Sequence, residues 1–339
     1  MLIRDRAEWC NSADRVPGPE GHSSGVIPGG ANSGCFRYMA QVAIEPEGGR
    51  SAPGRTIVQF TRSQFVGAFL IGAAQRNPGA ASEYRGVELG VQSISFRDRS
   101  LEAMLDAVAE TGIGAVELWA GHVEPPAGGR SKQLEWRMSV DLDHFRKIRA
   151  MFDRRRVRLH SYDVPFRNEC TDAEIDRIFE MARALGAGAI SSSSEVSIAE
   201  RLDAFARKHR VRVGFHNLSD LKSGQFARPD DYRKALNGRS EYLGVTLDIG
   251  HLTAAGFDPL EFLKEYHQRV FAIHLKDRKR DQGPPVPLGQ GDTPVRDILL
   301  AIRDRGWKVP LYIECQQTTS DVVAEVKRMY DYARHALDS

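Results

Sequence analysis

The sequence predicts a (β/α)8 TIM barrel, eight parallel strands closed on themselves inside a ring of helices, and three observations point to it. From about Arg85 onward, short apolar runs alternate with amphipathic helical segments eight times in roughly 250 residues, the number and size of such a barrel. Three late runs each end in a residue able to bind metal: TLDIGH at Asp248, VFAIHLKD at His274 and VPLYIEC at Glu314. The turn after the first run, LGVQSISF, lacks the GxGxxG pattern expected of an open, doubly wound sheet.

The elements follow in order. Residues 1–85 are rich in Gly, Pro, Ser and Arg without a helical or strand period, and read as a low-complexity extension expected to be mostly disordered. Within it, residues 61–81 look like an export signal: Arg62 precedes the apolar FVGAFLIGAA, and small residues follow through Ala80 and Ala81. The alternative is a short helix packed on the folded domain. The protein is therefore expected to be periplasmic or exported if this segment serves as a signal, and cytoplasmic if it does not.

Residues 86–339 are assigned to the barrel. Strand one is ELGVQS, 88–93, and its helix is capped by Ser100, carries Leu101, Met104, Leu105 and Val108 on one face and stops at Gly112. Strand two, 114–119, leads through the loop GHVEPPAGGR to a helix over 140–152. Strand three is 157–161, and the helix after it opens at Thr171 with Glu174 in the capping-box position and ends at Gly186. Strands four and five, 187–191 and 211–216, precede helices over 196–209 and 229–236. Strands six to eight are 243–248, 270–274 and 310–314, with helices over 259–267, 293–305 and 320–337.

Composition narrows the function. Lys plus Arg, 47, nearly balances Asp plus Glu, 45, so no basic field argues for nucleic acid or an anionic membrane, and a small, weakly charged substrate fits better. Cys10, Cys35, Cys170 and Cys315 lack CxxC spacing, which argues against a disulfide framework or a zinc knuckle. No apolar run reaches the ~20 residues of a membrane span.

In a barrel of this type, reacting groups sit where the strands end and the following loops begin. Those places hold His122 and Glu124 after strand two, His160 on three, His216 on five, Asp248 and His251 on and after six, His274 and Lys276 on seven, and Glu314 on eight. Each alone reads as an ordinary core or loop residue; their shared position in successive units points to a site. Asp248, His274 and Glu314 form the expected metal triad with His216 as fourth ligand, a mixed set suited to one divalent ion, Mn2+, Co2+, Zn2+ or Mg2+. Lys276, two residues after His274 on an extended segment, points to the same side and can neutralise an oxyanion, or else pairs with Asp277 at the surface. His251 bonds a substrate hydroxyl or moves a proton, or else orients Asp248. His122, Glu124 and His160 are expected to bind substrate at the mouth. Gly289 and Gly291 in PLGQGDTP read as a turn, or as a close backbone approach to a ligand.

VELWAGHVEP, FRNECTDAEIDRIFEMARALGAGAI, LDIGHLTAAGFDP, IHLKDRK and LGQGDTP resemble motifs of the xylose isomerase-like TIM barrels, in particular members of sugar phosphate isomerase/epimerase type, over roughly residues 87–337. The resemblance implies a metal held by Glu, Asp, His and Glu from strands near five to eight. Asp248, His274 and Glu314 match three of these, and His251 matches a His that often follows the Asp by three. The first Glu has no counterpart, because GFHN places His216 there. Epimerases of the family use two metal-bound glutamates as acid and base on opposite faces of the substrate, so this departure bears on mechanism.

The expectation is a divalent-metal-dependent sugar or keto-sugar isomerase/epimerase that transfers protons through a metal-bound enediolate, with Glu314 or His216 as base. The alternatives are a related lyase or dehydratase on 3-keto sugars or glycosides, an endonuclease-type phosphodiesterase, which the charge balance disfavours, and a non-catalytic sugar-binding or accessory subunit. The expected partner is a small carbohydrate, with no nucleic acid; a homo-oligomer or a partner subunit is left open.

Overall fold

The computed structural model describes residues 82–125, 128–317 and 319–339. The extension through residue 81, and with it the signal-like segment over 61–81, lies outside the described residues.

Eight parallel strands form the barrel: β1 Val87–Gln92, β2 Ala115–Trp119, β3 Arg158–Asp163, β4 Ala189–Ser192, β5 Arg212–His216, β6 Leu243–Asp248, β7 Val270–Leu275 and β8 Leu311–Ile313. Each pairs with the next in sequence, and β8 pairs with β1, so the ring closes. Most strands are short, largely apolar runs, and LGVTLD of β6 is buried throughout because barrel interior and helix layer cover both faces. Around them lie α1 Leu101–Thr111, α2 Arg130–Ser139, α3 Leu142–Arg155, α4 Asp172–Ala184, α5 Ala199–His209, α6 Pro229–Leu236, α7 Ile249–Ala254, α8 Pro259–Tyr266, α9 Val295–Arg305 and α10 Val322–Asp338.

The local signals act as expected at several boundaries. Ser100 Oγ accepts from Ala103 N at 3.3 Å at the start of α1, and Gly112 ends that helix at φ 76°, a backbone conformation that suits glycine. Besides the short helix α7 directly after β6, two further features differ from the expectation. Strand three runs to Asp163 rather than stopping at residue 161, with a register shift against β2 between Val116 and Glu117. The segment RSKQLEWRMS, which runs from the end of the expected loop to the expected helix over 140–152, forms α2. It has too few apolar residues to show a helical stripe; a polar residue, Arg137, is what it buries. Arg137 bridges Glu124 at 2.9 Å and Glu174 at 3.0 Å, with all three side chains almost wholly buried. Glu174 is thus the anchor of a buried ion network, not the reciprocal partner of a capping box; only Thr171 Oγ1 caps α4, accepting from Glu174 N at 3.2 Å. Among the described residues no helix is long and apolar enough to cross a membrane.

Candidate metal centre and active site

The ends of β5, β6, β7 and β8 bring His216, Asp248, His274 and Glu314 together, all buried, with one ligating atom of each within 4.8 Å of the others. Their orientations are set by the surrounding chain. Asp248 N-caps α7: its Oδ1 accepts from His251 N at 2.7 Å, and the Asn217 amide bonds the Asp248 backbone N and O, both at 2.9 Å. That leaves Oδ2 facing inward. His274 Nε2 lies 2.6 Å from Glu117 Oε1; a carboxylate can only accept, so Nε2 carries the proton and Nδ1 faces Glu314 Oε2 at 2.9 Å. His216 Nδ1 meets Ser193 Oγ at 3.0 Å, which turns Nε2 toward Asp248 Oδ2, 3.5 Å away.

Three buried atoms of this cluster, His216 Nε2, Asp248 Oδ2 and His274 Nδ1, have no aligned hydrogen bond. Asp248 Oδ2 and His274 Nδ1 are instead charge-paired, with Lys276 Nζ at 2.7 Å and Glu314 Oε2 at 2.9 Å, and together with His216 Nε2 these two imidazoles and two carboxylates converge on one point and match the donor set of a divalent cation. The Glu117–His274 pair is the carboxylate–histidine arrangement that fixes ligand tautomer in metal sites. The residues therefore fit the cation that the sequence implied.

Lys276 is turned inward and not toward Asp277. Its Nζ lies 2.7 Å from Asp248 Oδ2 and 3.0 Å from Glu314 Oε1. Burial works against every charge here, and the neighbours outweigh it: the His251 and His216 rings and the Lys276 ammonium hold Asp248 well below the usual carboxylate range. Burial likewise opposes charge on Glu314, yet Lys276 and His274 keep it low, while Glu117 and Glu314 hold His274 well above the usual imidazole value. His251 goes the other way: burial, reinforced by Lys276 and opposed by Asp248, lowers it to about 3. Arg278 Nη1 and Lys276 Nζ, both obligate donors, lie 2.8 Å from His251 Nδ1 and 3.2 Å from its Nε2, so the ring is neutral.

Across the bore stands an acidic wall that the sequence reading did not single out. Glu117 on β2 is fully buried and accepts from Ser161 Oγ at 2.6 Å as well as from His274. Asp163, the last residue of β3, accepts from Gln92 Nε2 at 2.6 Å. A charged residue inside GAVELW, an otherwise apolar strand, was the available signal for Glu117; Asp163 was hidden by ending strand three two residues early.

Three expected substrate contacts are placed elsewhere. His122 stands edge-on to Trp119, with Nε2 at 2.9 Å from Ser93 O, in the loop after β2. Glu124 is consumed by Arg137 and by Tyr162 Oη, which donates to it at 2.7 Å. His160 sits at the register shift in β3 and turns toward the strand starts, meeting Tyr312 Oη at 2.9 Å and Glu88 Oε1 at 3.2 Å. Gly289 and Gly291 do make a close backbone approach, but to Asp277: both N–H groups donate to its Oδ2, at 2.8 and 2.9 Å. A Cβ on Gly291 would stand 1.9 Å from Asp277 Oδ1, so only glycine fits.

Similarity to known proteins agrees with this architecture. Solved structures that superpose on the chain include a D-tagatose 3-epimerase-like protein (TM-score 0.57, 14% identity, 74% of this chain and 98% of that one). The IOLI protein with a bound zinc atom superposes equally well (TM-score 0.57, 15% identity, 74% and 98%). So does AsbF, a probable 3-DHS dehydratase from Bacillus anthracis (TM-score 0.55, 13% identity, 72% and 97%). At these identities the likeness concerns the fold. The family model described as xylose isomerase-like TIM barrel matches residues 105–332, most of the chain, and the protein belongs to that family.

Proposed function

We propose that the protein is a divalent-metal-dependent isomerase or epimerase of keto sugars. The observation that carries this reading is the convergence of His216, Asp248, His274 and Glu314, two imidazoles and two carboxylates, on one buried point at the strand ends. These four residues would hold the cation. When bound, it draws electron density from adjacent carbonyl and hydroxyl oxygens of the sugar and acidifies the C–H between them. Glu314, ionised throughout the neutral range, accepts that proton. The Lys276 ammonium, whose pKa burial lowers but Asp248 and Glu314 raise further, donates to the oxyanion that develops. His251 orients Asp248 through its backbone N–H, and with Arg278 on Nδ1 and Lys276 on Nε2 its ring is not the base. The epimerase-like and zinc-bound solved relatives support the reading. A second reading, loss of a β-hydroxyl or glycoside as in a dehydratase, is favoured by His216 standing where a second glutamate is expected, since elimination does not require protonation of carbon on the opposite face.

The test is elemental analysis of the purified full chain beside Asp248→Ala and His216→Ala variants, followed by a screen of keto sugars for exchange of the C–H proton with deuterated water. About one equivalent of Mn, Co, Zn or Mg, lost in both variants, together with exchange, is the expected result. A chain that takes up none of these ions on reconstitution would sink the proposal.

A further inference from the structure

The second glutamate of a two-base mechanism is absent from β5, and the structure offers one carboxyl group in a position to replace it. In the closed ring, β3 stands opposite β7. Asp163 at the end of β3 lies two residues after Ser161, whose Oγ donates to the bore-facing Glu117, and residues two apart on a strand share a face, so its side chain faces the bore. Its Oδ2 is held by Gln92 Nε2 at 2.6 Å, and Gln92 is itself pinned because its Oε1 accepts from Ile94 N at 2.7 Å. Among the described residues the other Asp163 oxygen has no hydrogen-bond partner, and the residue is only half-buried. Glu117 cannot serve in its place, since it is fully buried and both its oxygens are occupied by His274 and Ser161. Glu195 after β4 is taken up in its own loop, accepting from Asn168 N at 3.3 Å with Arg167 4.0 Å away.

Resting on the isomerase reading, we propose that Asp163 is the second proton-transfer residue, acting on the substrate face opposite Glu314. Glu314 takes the proton from the acidified C–H, and the electron pair left behind enters the enediolate. Asp163, as the neutral acid, gives its proton to the same carbon from the other face, or to the neighbouring carbon, in which case the hydroxyl proton passes from the first oxygen to the second and the carbonyl forms at the first carbon. Its carboxylate is then reprotonated from solvent at the mouth while Glu314 returns its proton to water, so no proton is gained or lost over the cycle. Burial, with the negative charges of Glu117 and Glu314 and against that of His274, pushes Asp163 up to about 8, which keeps the acid form present at neutral pH. A cation in the four-residue site lowers that midpoint.

The experiment compares the full chain with Asp163→Asn by two readouts. Infrared spectroscopy should show a carboxylic-acid C=O band at pH 7 in the parent, titrating near 8 without added metal and missing from the variant. With Mn2+ and four probe ketohexoses, fructose, psicose, tagatose and sorbose, the variant should keep C–H exchange with deuterated water within a few-fold while product formation falls at least about 100-fold. The assignment is overturned if the parent lacks the band, if the band survives in Asp163→Asn, if the variant forms product at the parent rate, or if exchange and turnover fall together. If the parent neither exchanges nor converts any probe, it is the isomerase reading that fails, and the band alone decides whether Asp163 holds the proton.

Discussion

Glu117 shows how much of the site depends on residues that do not themselves face a ligand. By accepting from His274 Nε2 at 2.6 Å it sets which nitrogen of that ring is turned to the cluster. Glu117→Gln should lower cation affinity about 10- to 100-fold in a direct titration; an unchanged affinity would mean that packing alone orients His274. The raised pKa of His274 has a second consequence. Its Nδ1 proton must leave before the nitrogen can coordinate, so cation uptake should release protons and tighten as pH rises. Calorimetry in two buffers of different ionisation enthalpy checks this, and a heat independent of buffer would contradict it. At this scale the sequence was a partial guide. The four ligands were legible because each ends an apolar strand, where a polar side chain stands out. Gln92, Ser161 and Asn217 were not, because an uncharged polar residue near a strand end looks the same whether it orients a ligand or caps a turn.

The secondary-structure elements divide along the same line. The helix Pro229–Leu236 and the strand Leu243–Asp248 have the bounds expected from proline, burial and period. The helix Arg130–Ser139 was missed, since what holds it is the buried charge network of Arg137 with Glu124 and Glu174, which periodicity cannot reveal. Breaking that network by Arg137→Ala strands the buried Glu124 carboxylate, leaves Glu174 to Arg130 alone and should cost about 3–5 kcal/mol, read as a fall in Tm. The network also shapes the response to acid. Burial would raise Glu174, but hydrogen bonds from Arg130 and Arg137 hold it below the usual carboxylate range. A depressed folded-state pKa contributes stability above the unfolded value that is lost as pH falls through the folded one. Melting of the parent should therefore weaken on acidification below about pH 4.5, and Arg137→Ala should flatten that limb; an equally steep limb in the variant would place the acid sensitivity elsewhere.

For the whole molecule, the fold class was legible because eight alternating units of strand and helix have few other ways to bury their apolar faces. What the alternation could not convey is that part of the bore is polar: Glu117, Ser161, Tyr312 and His160 replace the apolar layers usual there. Nor could it show that Lys276 turns inward. A buried ammonium 2.7 and 3.0 Å from two carboxylates balances much of their charge before any ion arrives. Lys276→Met should remove that balance, so that the variant gains markedly more in Tm from added Mn2+ than the parent does, whereas equal gains would show that the ammonium contributes little. A barrel that supplies its own counter-charge can complete its fold and acquire its ion in separate steps.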